Sequence, residues 1–98
     1  MYVIRYEDVT GADLAALRPY ERRRIFDEID EQLAFHPNTP SRRRKMLVGL
    51  TPPWDQVRPV WQIRVGEIRV FYDVDDDRNE VIIKAICRKG GKTTKEIL

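Results

Sequence analysis

The chain has 98 residues, enough for one small domain over residues 1–98 with no linker or second unit. Charged side chains make up 35% of it against a net charge of only +2, so the core is thin and the charge is unevenly placed rather than absent. The single cysteine, Cys87, excludes an internal disulfide and a cysteine-rich zinc site. With no signal peptide and no long apolar run, the chain is expected to be soluble and cytosolic.

Tyr2 to Tyr6 alternates like a strand, with Tyr2, Ile4 and Tyr6 on one face. Thr10-Gly11-Ala12-Asp13 resembles a capping box, with Asp in place of the preferred Glu, and opens a short helix that turns Leu14 and Leu17 inward. Arg18-Pro19 ends that helix, and Pro19 opens the next at its first turn. From Tyr20 to about Phe35 the apolar positions Ile25, Phe26, Ile29 and Leu33 follow the helical period. Arg22, Arg23 and Arg24 read as solvated surface beside the acidic outer face. His36 precedes a proline and reads as a helix-end residue rather than a base. Ser41 to Leu50 is basic and then apolar, followed by a turn-rich loop, Thr51-Pro52-Pro53-Trp54-Asp55, whose Trp54 is expected to pack over the sheet.

The clearest periodicity lies in Trp61 to Asp75, read as two strands joined at Val65-Gly66-Glu67. Trp61, Ile63 and Val65 share a face with Ile68, Val70, Tyr72 and Val74. Gln62, Arg64, Arg69, Phe71 and Asp73 fall opposite. The acidic turn Asp75 to Asn79 lacks a calcium-loop spacing, and Glu80 to Arg88 forms the last strand. Strict alternation there puts Val81, Ile83, Ala85 and Cys87 on one face and Ile82, Lys84, Ile86 and Arg88 on the other. Cys87 reads as a small buried hydrophobe. Gly90-Gly91 breaks the strand, leaving a short tail.

The expected fold is α+β, β-α-α-β-β-β, an antiparallel sheet with a helical hairpin packed on one face. The other face then displays Gln62, Arg64, Arg69, Lys84 and Arg88. Two basic runs, Arg42-Arg43-Arg44-Lys45 and Arg88-Lys89-Gly90-Gly91-Lys92, raise the odds of a polyanionic partner.

Several stretches resemble the RelE/ParE superfamily of small bacterial toxins. Ile63 to Val74, IRVGEIRVFYDV, is similar to that family's "LRVGDYRVIYEV" signature. Asp13 to Leu17 resembles its "DLxxL" helix, Lys45 to Leu50 its "KKLKGL" loop, and Ile86-Cys87-Arg88-Lys89 stands where members often have "VGHRKE". The resemblance spans nearly the whole chain. It implies a toxin held by a cognate antitoxin protein and acting on the ribosome and its mRNA. That activity is a metal-independent mRNA endonuclease needing no cofactor and no membrane. Attack by a neighbouring 2′-hydroxyl needs a base, cations for the phosphorane charge, and an acid. On this resemblance Arg69, Arg88, Arg64 and Lys89 are the candidate catalytic residues. Arg42, Arg43, Arg44, Lys45, Lys84 and Lys92 are the candidate RNA contacts. Two departures bear on it: lysines that RelE carries before the signature are replaced near Val60 and Gln62, and no His or Tyr follows Arg88. The alternatives are a ParE-like gyrase inhibitor, or a catalytically weak binding module of the same fold.

Overall fold

The computed structural model describes residues 1–49, 51–54 and 58–90. Its elements run β1 (Val3–Tyr6), α1 (Thr10–Ala15), α2 (Pro19–Leu33), β2 (Arg44–Leu47), β3 (Val60–Val65), β4 (Ile68–Asp75) and β5 (Glu80–Arg88). The strands form one five-stranded sheet in the order β1-β5-β4-β3-β2. The expected α+β layout holds, with two differences. The sheet is mixed, because β1 runs parallel to β5 while the other pairs are antiparallel. The basic segment after residue 41 also supplies an edge strand, β2, where the sequence predicts none.

The β3–β4 hairpin turns at Gly66-Glu67, with Gly66 at φ +60°, a backbone position that suits glycine. Trp61, Ile63, Val65, Ile68, Val70, Tyr72 and Val74 all face the helical layer, as the alternation predicts. Ile25, Ile29 and Leu33 of α2 meet them with no exposed surface. Complete burial of such side chains contributes roughly 1.5–3 kcal/mol each. Tyr72 stacks on Trp61 and donates its hydroxyl proton to the Pro37 carbonyl, which ties the α2–β2 connection to the sheet. Phe26 is more exposed than its spacing suggests and meets Tyr6 edge-on at 5.5 Å.

The helix ends are satisfied differently from the expectation at α1. Thr10 does not cap it; its hydroxyl donates to the Glu7 carbonyl at 2.6 Å. Asp13 is turned away as well, and its Oδ2 accepts the Ile86 N–H at 3.0 Å. Because β1 pairs with β5 only as far as Ile83, that carboxylate takes over a free edge amide of β5. Arg22 is not solvated surface: its Nη1 donates to the Leu14 and Leu17 carbonyls at 3.2 and 2.6 Å, closing the open end of α1. Pro19 begins α2, and Glu21 Oε1 accepts the Arg18 N–H at 3.1 Å.

A β-bulge changes the far half of β5. Phe71 pairs with Ala85 but Tyr72 pairs with Ile83, so Lys84 is the extra residue. Beyond it every side chain changes sides. Ile86 joins the helix-facing core and Arg88, opposite Ile68, follows it, while Ala85 and Cys87 move to the opposite face. The sequence reading of β5 is therefore correct before Lys84 and inverted after it.

The face away from the helices is only partly open. Phe71, Gln62, Asp73 and Ile82 are all buried there. Trp54 lies 6.4 Å from Phe71 between ring centres, packed over the sheet as expected. Arg58 closes on Asp73 with two nitrogens, at 2.6 and 2.9 Å, which pins the entry to β3 across the middle of the sheet. A forked guanidinium on a buried carboxylate fixes direction as well as distance. At the acidic turn, Asp75 Oδ1 accepts the Asp77 and Arg78 N–H groups, so one of the clustered carboxylates is spent on the backbone. No helix among the described residues is long and apolar enough to cross a membrane.

Candidate nucleic-acid interface

The open face keeps one strongly cationic region, over β2, β3 and the start of β4. Arg64 and Arg69 are cross-strand partners, so their side chains leave the same face of the hairpin side by side. Arg64 is exposed and Arg69 half-buried. Arg69 Nη1 donates to the Gly66 carbonyl at 2.8 Å and to the Ile68 carbonyl at 3.2 Å, so the turn holds its guanidinium in place. Burial, and then the Arg64 charge, push its pKa below the ordinary arginine value. It stays charged at neutral pH because that ordinary value is so high. Like charges placed side by side in this way are a cost to the fold. An anion lying between them removes the repulsion and fills both guanidinium forks.

Next to this pair, Lys45 stands opposite Gln62 on β2. A cleft of ≈ 130 Å³ lies between the 41–45 segment and β3, lined by Ser41, Arg42, Lys45, Gln62 and Arg64 among others. Its lining carries no imidazole, phenol or carboxylate. Arg42, Lys45, Arg64 and Arg69 make no ion pair among the described residues. With Lys89, they are the sequence-predicted cations that no carboxylate pairs among the described residues.

The other predicted residues are placed elsewhere. Arg88 is the clearest correction: the bulge carries it to the helix face. There its Nη2 donates to both Glu21 oxygens, at 2.8 and 2.7 Å, and holds that carboxylate below the usual carboxylate range. It does not join Arg69. One residue on, the Lys89 N–H donates to the Glu67 carbonyl at 2.8 Å and extends the ladder. Alternation carried one step further puts Lys89, half-buried, on the Arg69 side. Arg44 points to the helix layer, donating to the Gln32 carbonyl, the Gln32 Oε1 and the Thr39 carbonyl at 3.0, 2.9 and 3.0 Å. Arg43 reaches Glu28 of α2 at 3.0 Å. Lys84, largely buried at the bulge, is bound to Glu7 at 2.9 Å. Lys92 lies outside the described residues. His36 is exposed just past α2, in keeping with its reading as a helix-end residue.

Sequence reasoning passed over Asp13 as part of this face. Asp13 was assigned to a helix cap, and only the length of the β1–β5 pairing shows that its carboxylate is needed at the sheet edge.

A family profile described as "ParE toxin of type II toxin-antitoxin system, parDE" matches residues 2–90. Among solved structures, the fold is similar to a chain of the toxin-antitoxin complex RelBE2 from Mycobacterium tuberculosis. Identity is 22%, the TM-score is 0.68, and the match covers 87% of this chain and 94% of that one. It is similar also to a chain of the archaeal RelE-RelB complex from Pyrococcus horikoshii OT3, at 21% identity and TM-score 0.69, covering 91% and 96%. The isolated E. coli RelE toxin matches at 15% identity and TM-score 0.65, covering 88% of this chain and 82% of that chain. At these identities the likeness is one of fold. A search of curated proteins gave no match.

Proposed function

Because the chain belongs to the ParE toxin family of type II toxin-antitoxin systems, within the RelE/ParE superfamily, we propose that it arrests translation by gripping mRNA on the ribosome and cleaving it, and that a cognate antitoxin holds it silent. The observation that carries this reading is the cation set Arg42, Lys45, Arg64 and Arg69 on one face, with no carboxylate neutralising it among the described residues. Arg64 and Arg69 receive the scissile phosphate. Two planar forks suit its oxygens and stabilise the extra charge of a phosphorane formed by 2′-hydroxyl attack. Proton transfer needs groups that gain and lose protons, which arginine does not do near neutrality. Lys45 and Lys89 are the amines nearest that pair by strand register, and they are the groups at which the acid and base are to be sought. Toxin-antitoxin complexes among the structural neighbours support the antitoxin partner.

One observation favours a second reading, a gyrase inhibitor. The cleft lining offers cations but no imidazole, phenol or carboxylate for proton transfer, and a toxin that works by binding alone needs none. Brief induction of the chain without its antitoxin, followed by mapping of mRNA 5′ ends, separates the two. New ends inside translated codons are the expected result. Growth arrest with intact transcripts and relaxed plasmid DNA would transfer the assignment to gyrase.

A further inference from the structure

The bulge at Lys84 has a second effect. By moving Ala85 and Cys87 to the open face, it builds the floor of a groove beside the cationic region. The groove has a volume of ≈ 280 Å³ and runs between the start of α1 and the loop that carries Trp54. Val9, Asp13, Pro53 and Trp54 form its walls. Val9 is 63% exposed, although it is a large hydrophobe at the start of a helix. The groove is thus mostly apolar with one aromatic wall.

Two features indicate what it accepts. The first is position. Cys87 on its floor is the cross-strand neighbour of Arg69, and such neighbours have Cβ atoms about 5 Å apart. The groove and the phosphate-binding pair therefore adjoin within the span of one nucleotide. The second is polarity. Lys84, the one cation in the lining, is already bound to Glu7 at 2.9 Å. Asp13 spends Oδ2 on the Ile86 N–H, and its other oxygen has no protein partner among the described residues. The lining thus brings a hydrogen-bond acceptor and an indole together. A free anion is repelled by that carboxylate. A flat ring carrying an amino group matches both, since bases stack on aromatic side chains and carboxylates accept from exocyclic amino groups.

We propose that this groove holds a nucleobase bearing an exocyclic amino group, on the RNA strand whose phosphate lies on Arg64 and Arg69. The inference rests on the RNA reading above and adds to it a base-binding subsite formed by Trp54, Asp13, Ala85 and Cys87. In this arrangement Arg64 and Arg69 supply affinity for any sequence, and the groove supplies preference among bases.

The test uses the purified full-length toxin freed of its antitoxin, with fluorescently labelled oligocytidine, oligouridine and an abasic ribose-phosphate strand of the same length. Trp54→Leu keeps an apolar side chain against Phe71 but removes the stacking face. It is expected to weaken oligocytidine binding about 10-fold and to leave abasic-strand binding unchanged. Trp54→Phe retains a ring and is expected to restore most of the loss. Ala85→Leu fills the groove from its floor with the indole retained and should reproduce the base-selective loss, so the result does not rest on Trp54 variants alone. Wild-type protein is expected to prefer oligocytidine to oligouridine. Unchanged oligocytidine affinity in both Trp54→Leu and Ala85→Leu would overturn the groove while leaving the phosphate reading intact. Failure of the wild type to bind any of the three strands would overturn both. Loss of antitoxin binding in these variants with RNA binding unchanged would assign the groove to the antitoxin instead.

Discussion

Arg69→Ala is expected to slow mRNA cleavage by about 10²–10³-fold, the usual cost of removing one preorganised donor aimed at a charge that develops in the transition state. Arg88→Ala is expected to change it only a few-fold. Family resemblance assigns the two arginines equal standing, and the fold separates them. Arg69 is fixed by the Gly66 and Ile68 carbonyls and stands beside Arg64 on the open face. Arg88 sits across the sheet, half-exposed and tied to Glu21 at 2.7 Å. An ion pair on the surface contributes little to stability, so its loss is felt mildly in the fold and little in the chemistry. Arg69→Lys keeps the charge but loses the fork, and its rate is expected to lie between wild type and alanine. Single-turnover cleavage on programmed ribosomes checks all three variants. Equal losses for Arg69→Ala and Arg88→Ala would mean that Arg88 leaves Glu21 to act at the open face.

Tyr72→Ala is the substitution expected to cost the fold most. Its ring has no exposed surface, stacks against Trp61 at 6.4 Å, and sits under α2 among Ile25, Ile29 and Leu33. Truncating a buried aromatic ring costs about 3–5 kcal/mol, from lost transfer energy and the cavity left behind. A small domain holds only about 5–15 kcal/mol in total. A fall in melting temperature of roughly 15–30 °C follows for a chain of this size. Tyr72→Phe keeps the ring and strands only the Pro37 carbonyl, a loss of about 1–2 kcal/mol. Burial pushes the Tyr72 phenol's pKa well above its ordinary value, so the hydroxyl donates to that carbonyl throughout the neutral range. Urea melts of both variants measure the difference. A Tyr72→Ala protein within 1 kcal/mol of wild type would show that the sheet does not depend on this packing.

The β3–β4 hairpin was legible because polar and apolar residues alternate from Trp61 to Val65 and, Phe71 apart, from Ile68 to Val74, and a one-residue slip would bury Arg64 and Arg69. β5 offered no such constraint. Val81, Ile82 and Ile83 are all apolar, as are Ala85, Ile86 and Cys87, so either face of the strand can be buried and a bulge between the two runs leaves no mark in composition. The misplacement of Arg88 follows from that ambiguity. β2 was missed because Arg-Lys-Met-Leu is a short edge segment with weak strand character, which only its pairing to Trp61 and Gln62 reveals. The burial of Gln62 and Asp73 was also out of reach, since it depends on a loop folding back over the sheet, with Trp54 on Phe71 and Arg58 on Asp73. Of the candidate site, Arg64 and Arg69 could be read directly. Which of the remaining cations are committed to Glu7, Glu21, Glu28 and Gln32 is decided by tertiary contacts between elements far apart in sequence.

The phosphate-binding role of the Arg64–Arg69 pair is tested most directly by the salt dependence of binding to a short single-stranded RNA, compared for wild type, Arg69→Ala and Arg88→Ala. Each phosphate neutralised contributes about −0.7 to the slope of log affinity against log salt. Wild type is expected to show a slope of roughly −2 to −3 from its free cations, Arg69→Ala a slope shallower by about 0.7, and Arg88→Ala the wild-type slope. A wild-type slope retained in Arg69→Ala, or an equal loss in Arg88→Ala, would contradict the assignment of this face to RNA phosphate.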